Sequence, residues 1–230
     1  MTRAQRFFCL LAAGLCLSQT ASAQLAEDLI PTEQDFVSPE YFTLELRVGP
    51  YTPNNSAFDE TFDDVGPLLE LEIDVIAHRI PDLVYFGLGA TIGFSAYSGN
   101  AVNLAGEETS EETTLDILPL GLLAVARFDG LARRYSVPVI LTAKLGYSWL
   151  HWSTATGGHD EGDGWTQGIR YAGQIALDLD SLEPRAARAL DEEWGINHSF
   201  LFFEYWGFEK VNDSMELGDT TWIAGLGFVF

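Results

Sequence analysis

The sequence predicts an all-β chain: an eight-stranded antiparallel transmembrane up-and-down β-barrel with its N- and C-termini in the periplasm. Three observations predict it. Segments of about ten residues recur in which large apolar side chains alternate with small or polar ones, the period expected of strands with one face against lipid. The connections between them alternate between acidic and basic. The last segment, Trp222 to Phe230, puts Trp222, Ala224, Leu226, Phe228 and Phe230 on one face and closes on an aromatic.

Residues 1–23 carry Arg3 and Arg6, then an apolar run from Phe7 to Leu17, then Ala21-Ser22-Ala23, the small-x-small pattern of a cleaved export signal. Residues 24–40 show no strong pattern and are expected to be a short lead; residues 41–230 are expected to form the barrel domain. Cys9 and Cys16 both lie in the signal, so the mature chain has no thiol. Packing and backbone pairing must stabilise it without disulfides. No apolar window reaches the about twenty residues a membrane helix needs.

The first strand, Tyr41 to Gly49, sets Phe42, Leu44, Leu46 and Val48 against Thr43, Glu45 and Arg47. In the second, Leu69 to Ala77, Leu69, Leu71, Ile73 and Val75 oppose Glu70, Glu72 and Asp74. Three carboxylates on one face need basic partners or water, because an unpaired buried charge is costly. The third, Val84 to Tyr97, opposes Phe86, Leu88, Ala90, Ile92 and Phe94 to glycines, Thr91 and Ser95, a small inner face suited to a crowded lumen.

The fourth, about Thr114 to Phe128, places Leu118, Leu120, Leu122, Ala124, Ala126 and Phe128 outward; Pro119 removes a ladder donor and predicts a bulge or local irregularity. The fifth, Val137 to Trp152, turns Val139, Leu141, Ala143, Leu145, Tyr147 and Trp149 out and Lys144 in. The sixth, Trp165 to Asp180, opposes Ile169, Tyr171, Ile175, Leu177 and Leu179 to Arg170, Gln174, Ala176 and Asp178. The seventh, Asn197 to Phe208, is aromatic on both faces, so its register stays open. Trp222 to Phe230 is the eighth.

Connections 50–64, 98–112, 153–164 and 209–219 are long and acidic, whereas 78–82, 130–136 and 182–195 hold Arg79, Arg133, Arg134, Arg185 and Arg188. With both termini periplasmic, the acidic loops face outward and the basic turns inward. Leu182 to Trp194 reads as a brief helix, with Pro184 in its first turn and Gly195 as its stop, the expected form of a periplasmic cap or insert. Tyr41, Tyr51, Tyr97, Trp149, Trp152, Trp165, Trp206 and Trp222 lie near strand ends and are expected to form interfacial girdles.

With 34 acidic against 12 basic residues, a formal charge of −22, the chain repels nucleic acid. The candidate lumen network is Glu45, Arg47, Glu70, Glu72, Asp74, Lys144, Arg170, Gln174 and Asp178, joined by Glu204 if the seventh strand faces that way. Pairing there avoids stranding charge in an interior that eight strands leave only wide enough to fill with side chains. Asp160, Glu161 and Asp163 are candidate loop contacts for a hard divalent cation. They lack the spacing of a preformed calcium loop, and His78, His159 and His198 are scattered, so no resident metal is expected.

With the strands, the export signal and the terminal Phe230 in place, residues 41–230 resemble the myxobacterial-type outer-membrane β-barrel family and small eight-stranded outer-membrane barrels in general. The resemblance implies a Gram-negative cell outer membrane as the location, a monomer, no cofactor and no catalysis. It also implies that the terminal strand, with Trp222, Phe228 and Phe230, is recognised by the barrel-assembly machinery. The expected role is structural or at the surface, with outer-membrane lipids and lipopolysaccharide as partners. Three alternatives stand beside it: a narrow, porin-like cation-preferring channel; an esterase resembling an outer-membrane lipid A deacylase, with His151 as base, Ser153 as nucleophile and Glu161 as orienting acid; and a soluble periplasmic lipocalin-like binder with its apolar rows inside.

Overall fold

The computed structural model of the protein describes residues 39–62, 66–102 and 108–230. The predicted signal, most of the lead, and the acidic residues Asp63, Asp64 and Glu107 lie outside the described residues. Elements follow in the order β1 (Phe42–Tyr51), α1 (Ser56–Thr61), β2 (Gly66–Ile80), β3 (Val84–Val102), β4 (Glu108–Phe128), α2 (Gly130–Tyr135), β5 (Val139–Thr156), β6 (His159–Asp178), α3 (Pro184–Trp194), β7 (His198–Lys210) and β8 (Asp219–Val229). Each strand pairs antiparallel with its sequence neighbours, and β8 returns to β1, so the sheet closes as a ring in the order β1 to β8. Closure removes the unpaired edges an open sheet would expose.

The ring is sewn at its seam by Leu46 opposite Leu226 and Thr43 opposite Val229. Phe230 adds a backbone exchange with Phe42, and the two rings stack at 4.8 Å on the outside. One end of the barrel, here the terminal end, holds the start of β1, the end of β8, α2 and α3. The other, the hairpin end, holds α1 and the β3–β4, β5–β6 and β7–β8 connections.

Period-two patterning sets the partition between inside and outside. Glu45, Glu72, Asp74, Lys144, Arg170 and Glu204 are buried, while Leu46, Leu69, Leu122, Ile175, Leu201 and Trp222 are exposed; Leu88 reaches 67% and Leu145 60%. The outward apolar rows follow the alternation in every strand. β7 resolves with Leu201, Phe203 and Tyr205 outward and Phe200, Phe202, Glu204 and Trp206 inward. A soluble barrel requires the opposite partition, so the lipocalin-like alternative does not fit.

Inner faces of β3 and β8 are rich in glycine, which makes room for large side chains projecting from other strands. Gly227 lies opposite Phe200 and Gly225 opposite Phe202, and a Cβ at either position would run into the aromatic ring across from it. The β5–β6 turn is the two-residue Gly157-Gly158 with both φ positive, a conformation glycine adopts without steric cost. Pro119 causes no register change: β4 keeps its pairing with β5 through Pro119–Leu150, and beside it the β3–β4 ladder is interrupted locally, at Gly93 and Phe94, before resuming in the same register. Pro119 faces inward in the space that a side chain at Gly93 would otherwise occupy.

Three expectations are corrected. The segments read as loops 98–112 and 153–164 are mostly strand, because β3 runs to Val102, β4 begins at Glu108, and β5 and β6 meet at a tight turn. Their polar residues on both faces carry no amphipathic signal, so the alternation stops before the strands do. The connection after β1 holds α1, whose Phe58, with Phe62 just beyond it, is buried against Tyr97. Finally, Tyr51, Tyr97 and Trp206 are not girdle residues: they are buried inside the barrel with Leu68, Ile117 and Ile223, and Trp152 packs on them.

Candidate functional site

The middle of the lumen is a layer of paired charge. Glu45 and Arg47 enter from β1, Glu70, Glu72 and Asp74 from β2, Arg127 from β4, Lys144 from β5, Arg170 and Gln174 from β6, and Glu204 from β7. Lys144 Nζ lies 2.7 Å from Glu45, 2.6 Å from Glu72 and 3.2 Å from Glu204. Arg47 reaches Glu45 and Glu72 at 2.8 Å, Glu204 at 3.0 Å and Glu70 at 3.1 Å. Arg170 holds Glu70 with a two-nitrogen fork at 2.5 and 2.6 Å. Gln174 donates to Glu45 at 3.1 Å.

Arg127 was absent from the sequence-derived set. It donates to Glu45, to Thr142 at 3.1 Å and to Thr43 at 3.2 Å. Its signal lay in the alternation of β4: Ala126 and Phe128 face out, so Arg127 must face in. The apolar inner neighbours Leu123 and Val125 hid it. Asp178, grouped with the network from sequence, lies apart at the terminal end, where it accepts from Ser181 Oγ at 2.6 Å and Asp180 N at 3.3 Å.

The second aromatic row of β7 has a purpose in this layer. Arg127 lies over the Phe200 ring at 4.6 Å, Arg47 over Phe202 at 5.9 Å and Arg170 over Trp206 at 4.7 Å. A guanidinium stacks on a ring face while its edge binds carboxylates, so β7 covers three arginines that β1 and β2 neutralise.

Above the charges, toward the hairpin end, Tyr51, Phe58, Phe62, Tyr97, Trp206 and Leu217 fill the mouth. Tyr51 donates to Leu217 O at 2.6 Å, and Tyr97 donates to Tyr51 O at 2.7 Å. Below, toward the terminal end, lies a cavity of about 170 Å³ whose lining includes Tyr85, Arg127, Ile140, Phe200 and Val229. Glu40 closes its rim. Arg79 donates to it at 2.6 Å and Arg133 at 2.5 Å, and His198 Nε2 lies 3.5 Å away. Burial pushes the Glu40 carboxyl up, but the His198 and Arg79 hydrogen bonds and the charges of Arg133 and Arg79 outweigh it and hold it well below the usual carboxylate range. Sequence alone had left Glu40 in a patternless lead.

The other candidates do not assemble in the same way. Asp160, Glu161 and Asp163 are exposed along β6 and do not bring ligand atoms together, since Asp163 turns toward His151 at 3.6 Å. Among the described residues two groups do place ligand atoms within 4.8 Å of one another: Glu45, Glu72 and Asp74, and Asp178, Asp180 and His198. Lys144 already bridges Glu45 to Glu72, and His198 Nδ1 already meets Asp180 at 2.6 Å. His151 and Ser153 share the outer face of β5, with Ser153 opposite Asp163 and not Glu161, and no hydrogen bond joins His151 to Ser153 among the described residues. The nucleophile–base contact that ester hydrolysis requires is therefore not formed. Trp222 and Phe228 lie on the outer face of β8, Trp222 stacked on Phe203 of β7 at 4.8 Å, and Phe230 stacks on Phe42 across the closing seam.

No protein-family model and no curated protein matches the chain. Solved structures similar to it include Ail, the attachment invasion locus protein of Yersinia pestis, in complex with the heparin analogue sucrose octasulfate, at 11% identity and a TM-score of 0.47, covering 83% of this chain and 97% of that one. The N-terminal β-barrel domain of Pseudomonas aeruginosa OprF is similar at 10% identity and 0.45, covering 83% and 97%. Neisserial surface protein A is similar at 14% and 0.44, covering 82% and 97%. At these values the likeness adds nothing to the closed barrel that the strand pairing itself defines, and none of these comparisons supports the expected myxobacterial family.

Proposed function

We propose that the protein is an integral outer-membrane β-barrel with a structural or surface role and no catalysis. One observation carries this reading: charged side chains are buried in the lumen while large apolar side chains are exposed around the whole circumference. In water that partition is unfavourable; in a bilayer it is what a membrane-spanning strand needs.

The orientation follows from charge. Exposed carboxylates of the hairpin end, Asp59, Glu60, Glu111, Glu112, Asp160, Glu161 and Asp163, face the cell exterior, and Arg79, Arg133, Arg134, Arg185 and Arg188 face the periplasm with both termini. The acidic end meets lipopolysaccharide phosphates through divalent cations, weakly and without a preformed site, because hard cations accept carboxylate oxygen. The lumen acts as a tie between strands. Each of its close ion pairs links different strands, apart from Glu45 with Arg47, and apolar clusters lie on both sides of the layer. A cation-conducting channel would need this packing to open.

The test is fractionation of cells expressing the full chain, combined with a Glu161→Cys variant of the otherwise cysteine-free mature protein. Recovery in the outer membrane and labelling of whole cells by an impermeant maleimide support the reading. Recovery in the soluble periplasm, or labelling only after the outer membrane is breached, contradicts location or orientation respectively.

A further inference from the structure

Between β6 and β7 the chain makes α3, eleven residues with no buried member. Ala186, Ala187, Leu190 and Trp194 recur at three- and four-residue spacing and so share one face, while Arg185, Arg188 and Glu192 share the opposite one. The apolar face does not serve the barrel core. Trp194 at its end is 72% exposed, more than any lipid-facing residue of the belt. The helix is nonetheless well built, with Pro184 in its first turn and Gly195 in the left-handed conformation, its N–H bonded back to Asp191.

What covers this face follows from where it lies. Ile175 and Leu177 are exposed in the outward row of β6, Leu182 is exposed in the turn that follows, and the outward row of β7 begins at Leu201. The helix thus leaves and re-enters the barrel next to exposed apolar residues of the belt, at the terminal end. Other connections at that end also expose a large apolar or aromatic residue: Tyr41 before β1, Leu83 between β2 and β3, and Tyr135, under the Arg134 guanidinium, between β4 and β5. Together they form a rim of side chains suited to headgroup depth.

We infer that α3 lies flat on the periplasmic leaflet, its Ala187, Leu190 and Trp194 face seated at the boundary between phospholipid headgroups and acyl chains. This rests on the proposed membrane location and adds a partner for one segment of the chain. The helix has the form of an interfacial anchor: strongly two-faced, modest in overall hydrophobicity and tethered at both ends to spanning strands. Its occupant is lipid because the face joins two strands with outward apolar rows and shares its end of the barrel with the exposed Tyr41, Leu83 and Tyr135.

The experiment places single cysteines on the mature chain, which has none of its own. An environment-sensitive fluorophore is attached at Leu190→Cys, Trp194→Cys, Arg188→Cys, Leu145→Cys or Glu161→Cys. Each protein is folded into phosphatidylethanolamine vesicles containing a minority of phosphatidylglycerol, with a nitroxide quencher carried either near the headgroup or deep in the acyl chain. Labels at 190 and 194 are expected to be blue-shifted and quenched by the shallow probe about twofold or more relative to 188, with 145 responding to the deep probe and 161 to neither. Labels at 190 and 194 that behave like 161 while 145 is quenched would overturn the inference and leave the barrel in the membrane. An unquenched 145 would remove the membrane reading and the inference together.

Discussion

Replacing Lys144 by Met removes the ammonium that three buried carboxylates share while keeping the side chain's length. Nζ lies 2.7, 2.6 and 3.2 Å from Glu45, Glu72 and Glu204, and each of the four side chains is fully buried. Four cations, Arg47, Arg127, Lys144 and Arg170, face five carboxylates, Glu45, Glu70, Glu72, Asp74 and Glu204, in this layer. The substitution leaves three against five in a medium that cannot solvate the surplus. Breaking a buried pair on one side costs about 3–5 kcal/mol, and a volume-conserving change adds little to that. Adding Glu72→Gln returns the surplus to one carboxylate, as in the parent. The double variant is therefore expected to recover about 1–3 kcal/mol relative to the sum of the single changes. Urea unfolding in lipid vesicles, followed by tryptophan fluorescence, reads both quantities. A loss below about 1 kcal/mol for Lys144→Met, the size of a solvent-exposed pair, or strict additivity in the double variant, would refute the account of the lumen as a sealed network.

Asp74 differs from its neighbours, since its nearest cation is Arg127 at 3.5 Å; Asp74→Asn is expected to change stability by less than half the Glu45→Gln loss in the same assay. Phe200→Leu removes the ring beneath Arg127 and is expected to cost about 1–2 kcal/mol, more than the same change at the outward-facing Phe203. Glu40 has its folded value lowered, so its contribution is complete above the ordinary glutamate value of about 4.3 and is lost as pH falls toward the lowered folded value. Glu40→Gln should flatten that acid limb of the stability curve and leave the limb unchanged if the clamp with Arg79, Arg133 and His198 does not operate. In a planar bilayer, the parent and the Phe58→Ala variant should both lack steady conductance, because the charge layer still fills the lumen beneath the aromatic mouth; regular opening in Phe58→Ala alone would identify the mouth as the barrier.

Much of this arrangement is legible in the chain because both faces of each barrel strand are constrained. Outward, Leu69, Leu71, Ile73 and Val75 must be apolar, and that row by itself sends Glu70, Glu72 and Asp74 inward. The same parity would have turned Arg127, Tyr97 and Trp206 inward, but each was masked. Arg127 follows apolar inner residues, while Tyr97 and Trp206 have the amphipathic character of interfacial residues and sit near strand ends. The space they fill comes from glycines on other strands, such as Gly66 beneath Tyr97, which is a long-range fact that local pattern does not hold. Extensions of β5 and β6 beyond the belt carry polar residues on both faces, so no alternation marks them as strand. Glu40 carries no pattern of its own; its partners come from β2, α2 and β7, and only the closed ring brings them together.

The arrangement on which everything else depends is a closed barrel with its polar residues inside and its apolar belt in lipid. It is tested most directly by electrophoresis of the purified, lipid-folded protein with and without boiling. A ring held by eight ladders and a buried ion network resists dodecyl sulfate when cold, so the unboiled protein is predicted to migrate as a faster, compact species and to shift on boiling. A single mobility regardless of heating, with the protein soluble when no lipid or detergent is present, would contradict it.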